Sequence, residues 1–376
     1  MMALADAVAE TNHDLMEKCA VFWGFENALL PTRKEWVFYE DDWHSRGVAD
    51  FEHAEFTAQV LVDAQDDGQD ETAGMGRLHA IVETALADTP ADLAGRDRVM
   101  KEAVGRMAEQ GMPLPPDWSA GEPEASDTRP VLAEILPADA VERLSPETVT
   151  KAPIVGEDGR QRTMLSYRVP FTEGAYAKLA ERYAEAVFRE SGEFDIPPSL
   201  VLAVMETESA FNPRARSPVP AFGLMQLVPT SGGLDAHRFV NGESAPMLSP
   251  ESLYDPDTNI KLGTAYLKLL DTRYLRAVDH PESRLYSSIA AYNTGAGNVA
   301  RAFNSTTNIS SAASLINRLP PEKVFDHLSE QLPYEETRRY LVKVTGARER
   351  YRDWDLVAGH TDQVARAIQD TGVQTQ

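Results

Sequence analysis

Glu208, near the end of a strongly apolar segment, is the residue best placed in this sequence to move a proton. The segment that opens at Pro197-Pro198 and closes near Asn212-Pro213 reads as one helix. Proline suits a first helical turn, and a residue preceding proline is pushed away from helical geometry. Helical spacing places Glu208 in the last turn, on the face shared by Val201, Val204 and Met205, while Glu206 points away. A carboxyl packed against apolar side chains loses hydration when it ionises, and the negative end of the helix dipole repels the same charge. Both effects favour the protonated form, which a general acid needs near neutral pH. From this segment alone, a pair of solvated glutamates at a helix end is the commoner outcome.

Other chemistries find little support. The 8 histidines show neither His-x-x-x-His spacing nor pairing with cysteine, so no metal site is expected, and His237 reads as a solvated loop residue. No Gly-x-x-x-x-Gly-Lys or Gly-x-Gly-x-x-Gly loop is present to cradle a phosphate. The Ser-Gly-Gly at 231–233 lacks the strand-then-helix setting such loops need, so no nucleotide or other cofactor is implied. The formal charge of -23 argues against nucleic acid, whose phosphates require a basic surface. No apolar run approaches the roughly 18 residues of a membrane-spanning helix. Cys19 is the single cysteine, so no intramolecular disulfide is possible. Glu17 and Lys18 stand where a lipoprotein signal would carry apolar and small residues, so neither a lipid anchor nor an export signal is read.

The elements that must position Glu208 divide at about residue 170. Residues 1–170 read as a mixed α+β domain. It has an amphipathic helix at 4–25, strands at 36–39 and 56–62, and helices at 71–86 and 97–109. A Pro-, Gly- and acid-rich connection follows at 111–130, then a hairpin of 148–155 and 160–169 turned by Asp158-Gly159. Residues 171–376 read as short amphipathic helices joined by Gly, Pro and Asn turns. The first spans 173–190, with Tyr176, Leu179, Tyr183 and Val187 on one face. Further helices are expected at 283–291, closed by the turn-permitting Gly295 and Gly297, and at 334–351.

Glu208-Ser-Ala-Phe-Asn-Pro is followed by Gly223-Leu-Met-Gln, then by Ala291-Tyr-Asn-Thr-Gly-Ala-Gly, then by Glu336-Thr-Arg-Arg-Tyr. In this order the motifs resemble those of the lytic transglycosylases of the goose-type lysozyme superfamily. The resemblance covers about residues 173–351. The insertion from Gly232-Gly233 to Asp255-Pro256, and Trp36, Tyr39, Arg46 and Asp50-Phe51, are most similar to a membrane-bound subfamily with an accessory domain ahead of the catalytic one. The fold implied is α+β: a mainly helical, lysozyme-like C-terminal catalytic domain, 171–376, preceded by a mixed α/β accessory domain, 1–170.

The resemblance implies the chemistry too. Glu208 would protonate the glycosidic oxygen of peptidoglycan between MurNAc and GlcNAc and afterwards act as base. Most glycosidases use two carboxylates, and these motifs hold no second acid. The substrate's 2-acetamido group would instead meet the charge at C1, and the muramoyl C6 hydroxyl would close a 1,6-anhydro ring without water. Ser209 would contact sugar, Met225 and Gln226 would line the groove, Tyr292 would pack beside it, and Asn293 would bond sugar. Tyr340 would bring its hydroxyl close to Glu208. Core filling by Met225, helix capping by Asn293 and a buried, separately satisfied Tyr340 stay open as structural alternatives. The partners implied are peptidoglycan glycan strands and other cell-wall machinery, and the location implied is periplasmic. Three other readings remain: a lysozyme-like hydrolase, in which water replaces the C6 hydroxyl, a non-catalytic glycan-binding cell-wall protein, and a secreted effector or phage-borne lysin that attacks another cell's wall. The loop 214–221 departs from the family pattern, since Pro218 and Pro220 stiffen it.

Overall fold

The computed structural model describes residues 2–63, 69–111, 127–218 and 221–358. The architecture is α+β, with an antiparallel sheet in the N-terminal part and helices beyond it. The described residues form two compact units. One comprises Met1–Arg182, Glu208–Thr230 and Leu248–Asn259, and the other Tyr183–Thr207, Ser231–Met247 and Ile260–Gln376. They interleave in sequence.

The first unit opens with helix α1 (Met2–Trp23), then strands β1 (Glu35–Tyr39), β2 (Ser45–Asp50) and β3 (Glu55–Asp63). Helices α2 (Gln69–Ala87), α3 (Pro90–Arg96) and α4 (Arg98–Glu109) follow, then strands β4 (Val149–Val155) and β5 (Gln161–Pro170) and helix α5 (Ala175–Arg182). The strands form one antiparallel sheet in the order β1-β2-β3-β5-β4. The expected hairpin is therefore not free-standing, because β5 pairs with β3 along its whole length, from Glu55↔Pro170 to Asp63↔Arg162. The sequence pattern missed β2: of its residues only Val48 is β-branched, yet the strand is buried between two neighbours. The connection expected at 111–130 lies mostly, at 112–126, outside the described residues.

One face of the sheet packs on α1 through Cys19, Ala20, Trp23, Val37, Tyr39, Val48, Leu61 and Ile154. Arg46 is buried beside this core, its guanidinium 3.9 Å from the Trp23 ring centroid. It donates to Asn27 O at 2.5 Å, Tyr39 OH at 2.9 Å and Gln59 Oε1 at 2.7 Å, so a charge that would be costly alone is well satisfied. Burial pushes the Tyr39 phenol up to about 12, the Arg46 charge only partly offsetting it.

The helix expected at 173–190 is broken. Arg182, the last residue of α5, is buried against Asp127 at 2.7 Å and Glu134 at 2.8 Å, an anchor that hydrophobic periodicity does not register. Tyr183, at φ -100° and ψ 7°, leaves helical geometry, and helix α6 (Ala184–Phe194) starts the second unit. Helix α7 (Pro198–Ser209) comes next, then α8 (Gly232–Asn241), α9 (Pro250–Tyr254) and α10 (Pro256–Leu269). The chain continues through α11 (Pro281–Thr294), α12 (Ala296–Asn304), α13 (Ile309–Ile316), α14 (Pro321–Gln331) and α15 (Glu335–Arg350). Among the described residues no helix is long and apolar enough to cross a membrane.

Candidate active site

Proline at the start of α7 leaves no N–H unsatisfied there, and Ser199 is held by Asp355, which accepts from its N–H at 2.9 Å and its hydroxyl at 2.7 Å. Val201, Leu202, Ala203, Val204 and Met205 are all fully buried, so α7 is enclosed on every side, beyond the single apolar face expected. Glu206 turns to Arg350 and to the Tyr351 hydroxyl, 2.6 Å away. Glu208 is 5% exposed.

The helix stops at Ser209, three residues before Asn212-Pro213. Ala210 and Phe211 adopt left-handed backbone at φ 50° and 64°, conformations that non-glycine residues hold only where the surroundings enforce them. The enforcement is visible in the bonds on either side. The buried Ser209 hydroxyl donates to Leu224 O at 2.8 Å. Asn212 Oδ1 accepts from the Arg214 N–H at 3.0 Å, and its Nδ2 donates to Arg33 O at 3.3 Å. The Arg216 N–H donates to Thr32 O at 3.4 Å. Arg214 and Arg216, both buried, each lie 3.4 Å from Asp97, and the Arg214 guanidinium stands 3.6 Å from the Tyr254 ring centroid. The sheet and the loop that follows Glu208 thus share one packed unit.

The Gly-Leu-Met-Gln segment doubles back beneath Glu208's loop. Phe222 and Leu227 exchange backbone bonds at 3.0 and 3.1 Å, and the Gly223 N–H donates to Ala215 O at 2.9 Å. Gly223 has φ +74°, and a Cβ there would sit 2.3 Å from Leu253 O, so only glycine fits. The fully buried Asn259 organises this turn: its Nδ2 donates to Phe222 O at 2.9 Å and Leu253 O at 2.6 Å, and its Oδ1 accepts from the Met225 N–H at 2.7 Å. The Met225 side chain is fully buried. Gln226, at φ 49°, donates through Nε2 to Ala215 O and Gly223 O, each at 3.0 Å. Its buried Oε1 accepts no hydrogen bond among the described residues, leaving an acceptor for an incoming donor.

A cation stands over this corner. Arg33, in the turn before β1, places Nη1 3.8 Å from Glu208 Oε2. Sequence reasoning missed Arg33, Asp97 and Asn259 as contributors. A basic residue far upstream carries no local pattern, and a buried amide with three bonds is indistinguishable in sequence from a surface one.

In the second unit, Asn293 in the last turn of α11 accepts from the buried Thr337 hydroxyl at 2.7 Å, which ties α11 to α15. Tyr340 lies one turn beyond Thr337 and is buried. The Tyr292 ring centroid is 5.3 Å from that of Tyr266. Gly295 closes α11 at φ 83°, as a turn glycine should, whereas Gly297 lies inside the first turn of α12 instead of in the turn. His237 lies on α8, not in a loop, with its Nδ1 2.9 Å from Pro246 O.

Glu208 is thus a buried carboxyl at the end of an enclosed helix, braced by a left-handed turn and a glycine-dependent loop. The chain belongs to the lytic murein transglycosylase family. Residues 185–314 match the Transglycosylase SLT domain. Membrane-bound lytic murein transglycosylase C of Salmonella arizonae is 32% identical over 330 residues, spanning 88% of this chain and 85% of that protein. The protein of the same name from Klebsiella pneumoniae subsp. pneumoniae is 32% identical over 340 residues, with the same 88% and 85% coverage. Among solved structures, the 70 kDa soluble lytic transglycosylase of Escherichia coli is 29% identical, over 47% of this chain and 26% of that one, with a TM-score of 0.35.

Proposed function

We propose that this enzyme cleaves the β-1,4 bond between MurNAc and GlcNAc in peptidoglycan without water, with Glu208 as its single acid/base. The protonated carboxyl gives its proton to the glycosidic oxygen as the C1–O bond breaks, and the bonding pair leaves with the GlcNAc oxygen. The acetamido oxygen of MurNAc covers the electron deficiency at C1. The Glu208 carboxylate then takes the proton of the C6 hydroxyl, O6 bonds to C1, and the acetamido oxygen departs. Atoms balance with no water consumed, and Glu208 ends protonated as it began.

The observation that carries this reading is the 5% exposure of Glu208 at the C-terminal end of α7, the setting in which a carboxyl holds a proton. Gln226 Oε1 is assigned to a substrate N–H, and Asn293 and Tyr292 to sugar contacts. The fully buried Ser209 and Met225 are assigned to shaping the groove from behind. On the resemblance alone, Tyr340 is assigned to orienting the Glu208 carboxyl. Residues 1–170 act as an accessory domain to residues 171–376, supplying either an added glycan or stem-peptide contact surface or a docking surface for other cell-wall proteins, and the partners are glycan strands in the periplasm.

The test is mass spectrometry of purified sacculi digested with wild type and Glu208→Gln in parallel. The expected products carry anhydro ends, one water lighter than hydrolytic ones, and vanish in the variant. Hydrated ends would make the enzyme a hydrolase, and undiminished cleavage by Glu208→Gln would remove that residue from the chemistry.

A further inference from the structure

Glu208 answers to two opposed influences. Burial and the helix end favour its neutral form, while the Arg33 guanidinium 3.8 Å away favours its ionised form. Arg33 does not reach this position by chance of a long side chain. Its turn is fixed by the Thr32 N–H donating to Glu35 O at 2.9 Å, and by Thr32 Oγ1 accepting from the Lys34 and Glu35 N–H groups at 3.3 and 3.1 Å. The same turn is stitched to Glu208's loop through Arg33 O to Asn212 and Thr32 O to Arg216. The backbone is thus clamped on both sides of the charge it presents.

The neighbouring charged groups on the packed elements are engaged with other partners. Lys34 meets Glu52 at 2.6 Å, Glu35 accepts from the Thr32 hydroxyl at 3.1 Å, and Arg214 and Arg216 meet Asp97. On α7 itself, Glu206 is bonded to Arg350 and Tyr351. Arg33 is thus a cation that the structure directs at the Glu208 carboxyl.

We propose that Arg33 is a positioning residue for Glu208: the N-terminal domain supplies the positive charge that orients the carboxyl and stabilises its ionised form, as needed when it turns from acid to base. This rests on Glu208 being the proton-moving group. Without such a charge, a carboxyl buried at a helix end would give up its proton reluctantly and accumulate in the neutral form. The accessory domain is then part of the catalytic apparatus.

The test is the rate of anhydro-product release from sacculi across pH, expressed as the ratio of variant to wild type so that substrate ionisation cancels. The Arg33 side chain is 39% exposed, so solvent screens it and the low end of the usual range applies, about one pH unit. Removing the cation moves the alkaline limb upward, and the ratio for Arg33→Met climbs about tenfold from acid to alkaline pH. Arg33→Gln carries the same expectation with a polar side chain, which keeps the test valid if the methionine variant misfolds. Arg33→Lys keeps a flat ratio. A flat ratio in both neutral variants, or a lysine variant that climbs like them, would overturn the proposal by showing only a structural role. Wild type that releases no anhydro product, or cleavage surviving Glu208→Gln, would instead sink the reading beneath it.

Discussion

Glu208 and Gln226 are held by backbone that leaves the right-handed regions, at Ala210, Phe211 and Gln226 itself, with Asn259, Asp97 and the Thr32–Arg33 turn bracing it from outside. Asn293 and Tyr340 instead ride on two regular helices, α11 and α15, linked by the Thr337 hydroxyl. Regular helices position a side chain through their own backbone bonds, so a single tertiary contact fixes the register. The loop system has no such internal ladder and depends on buried polar side chains drawn from distant sequence. Loss of one brace should therefore do more damage in the loop system than in the helix pair.

The largest expected effect lies at Glu208, the group proposed to move the proton. Glu208→Gln should lower product release by about 10²–10⁴-fold with little change in stability, as measured by initial rates and thermal unfolding. Next comes the loop brace. Asn259→Ala strands the Met225 N–H and the Phe222 and Leu253 carbonyls, and should destabilise by about 3 kcal/mol in chemical denaturation, with activity falling alongside.

The sheet that presents Arg33 should weaken at high pH. Tyr39 ionises near 10 when unfolded and near 12 when folded, so this contribution is fully present below pH 10 and is lost as pH rises through 12. The change is about 3 kcal/mol, and denaturation of Tyr39→Phe over the same range should show a correspondingly shallower fall. The smallest effect is expected in the helix pair, where Thr337→Val should lose about 1 kcal/mol and leave the enzyme active. If Thr337→Val proved as damaging as Asn259→Ala, the contrast between the two regions would not survive.

Much of the frame was legible in advance. β1, β3 and the β4–β5 hairpin follow from runs of β-branched and aromatic residues, and α7 with Glu208 in its last turn follows from Pro198 and the apolar spacing. The misses share a cause. β2 carries Ser, Arg and Gly in place of strand-forming residues, and it forms because β1 and β3 offer it bonds on both edges. The 173–190 helix breaks at Tyr183, next to an arginine buried against two distant carboxylates. The α7 terminus moved back to Ser209 because Ala210 and Phe211 take a conformation that their own side chains disfavour.

The sequence by itself determined the family motifs, the apolar setting of Glu208 and the α+β class, because each is written in neighbouring residues at helical or strand spacing. Only the tertiary structure decided that the sheet and the loop after Glu208 share one compact unit, that Asn259 and Asp97 brace it, and that Arg33 stands 3.8 Å from the Glu208 carboxyl. A pairing between residues 33 and 208 depends on how the chain folds back on itself, and no local pattern encodes it.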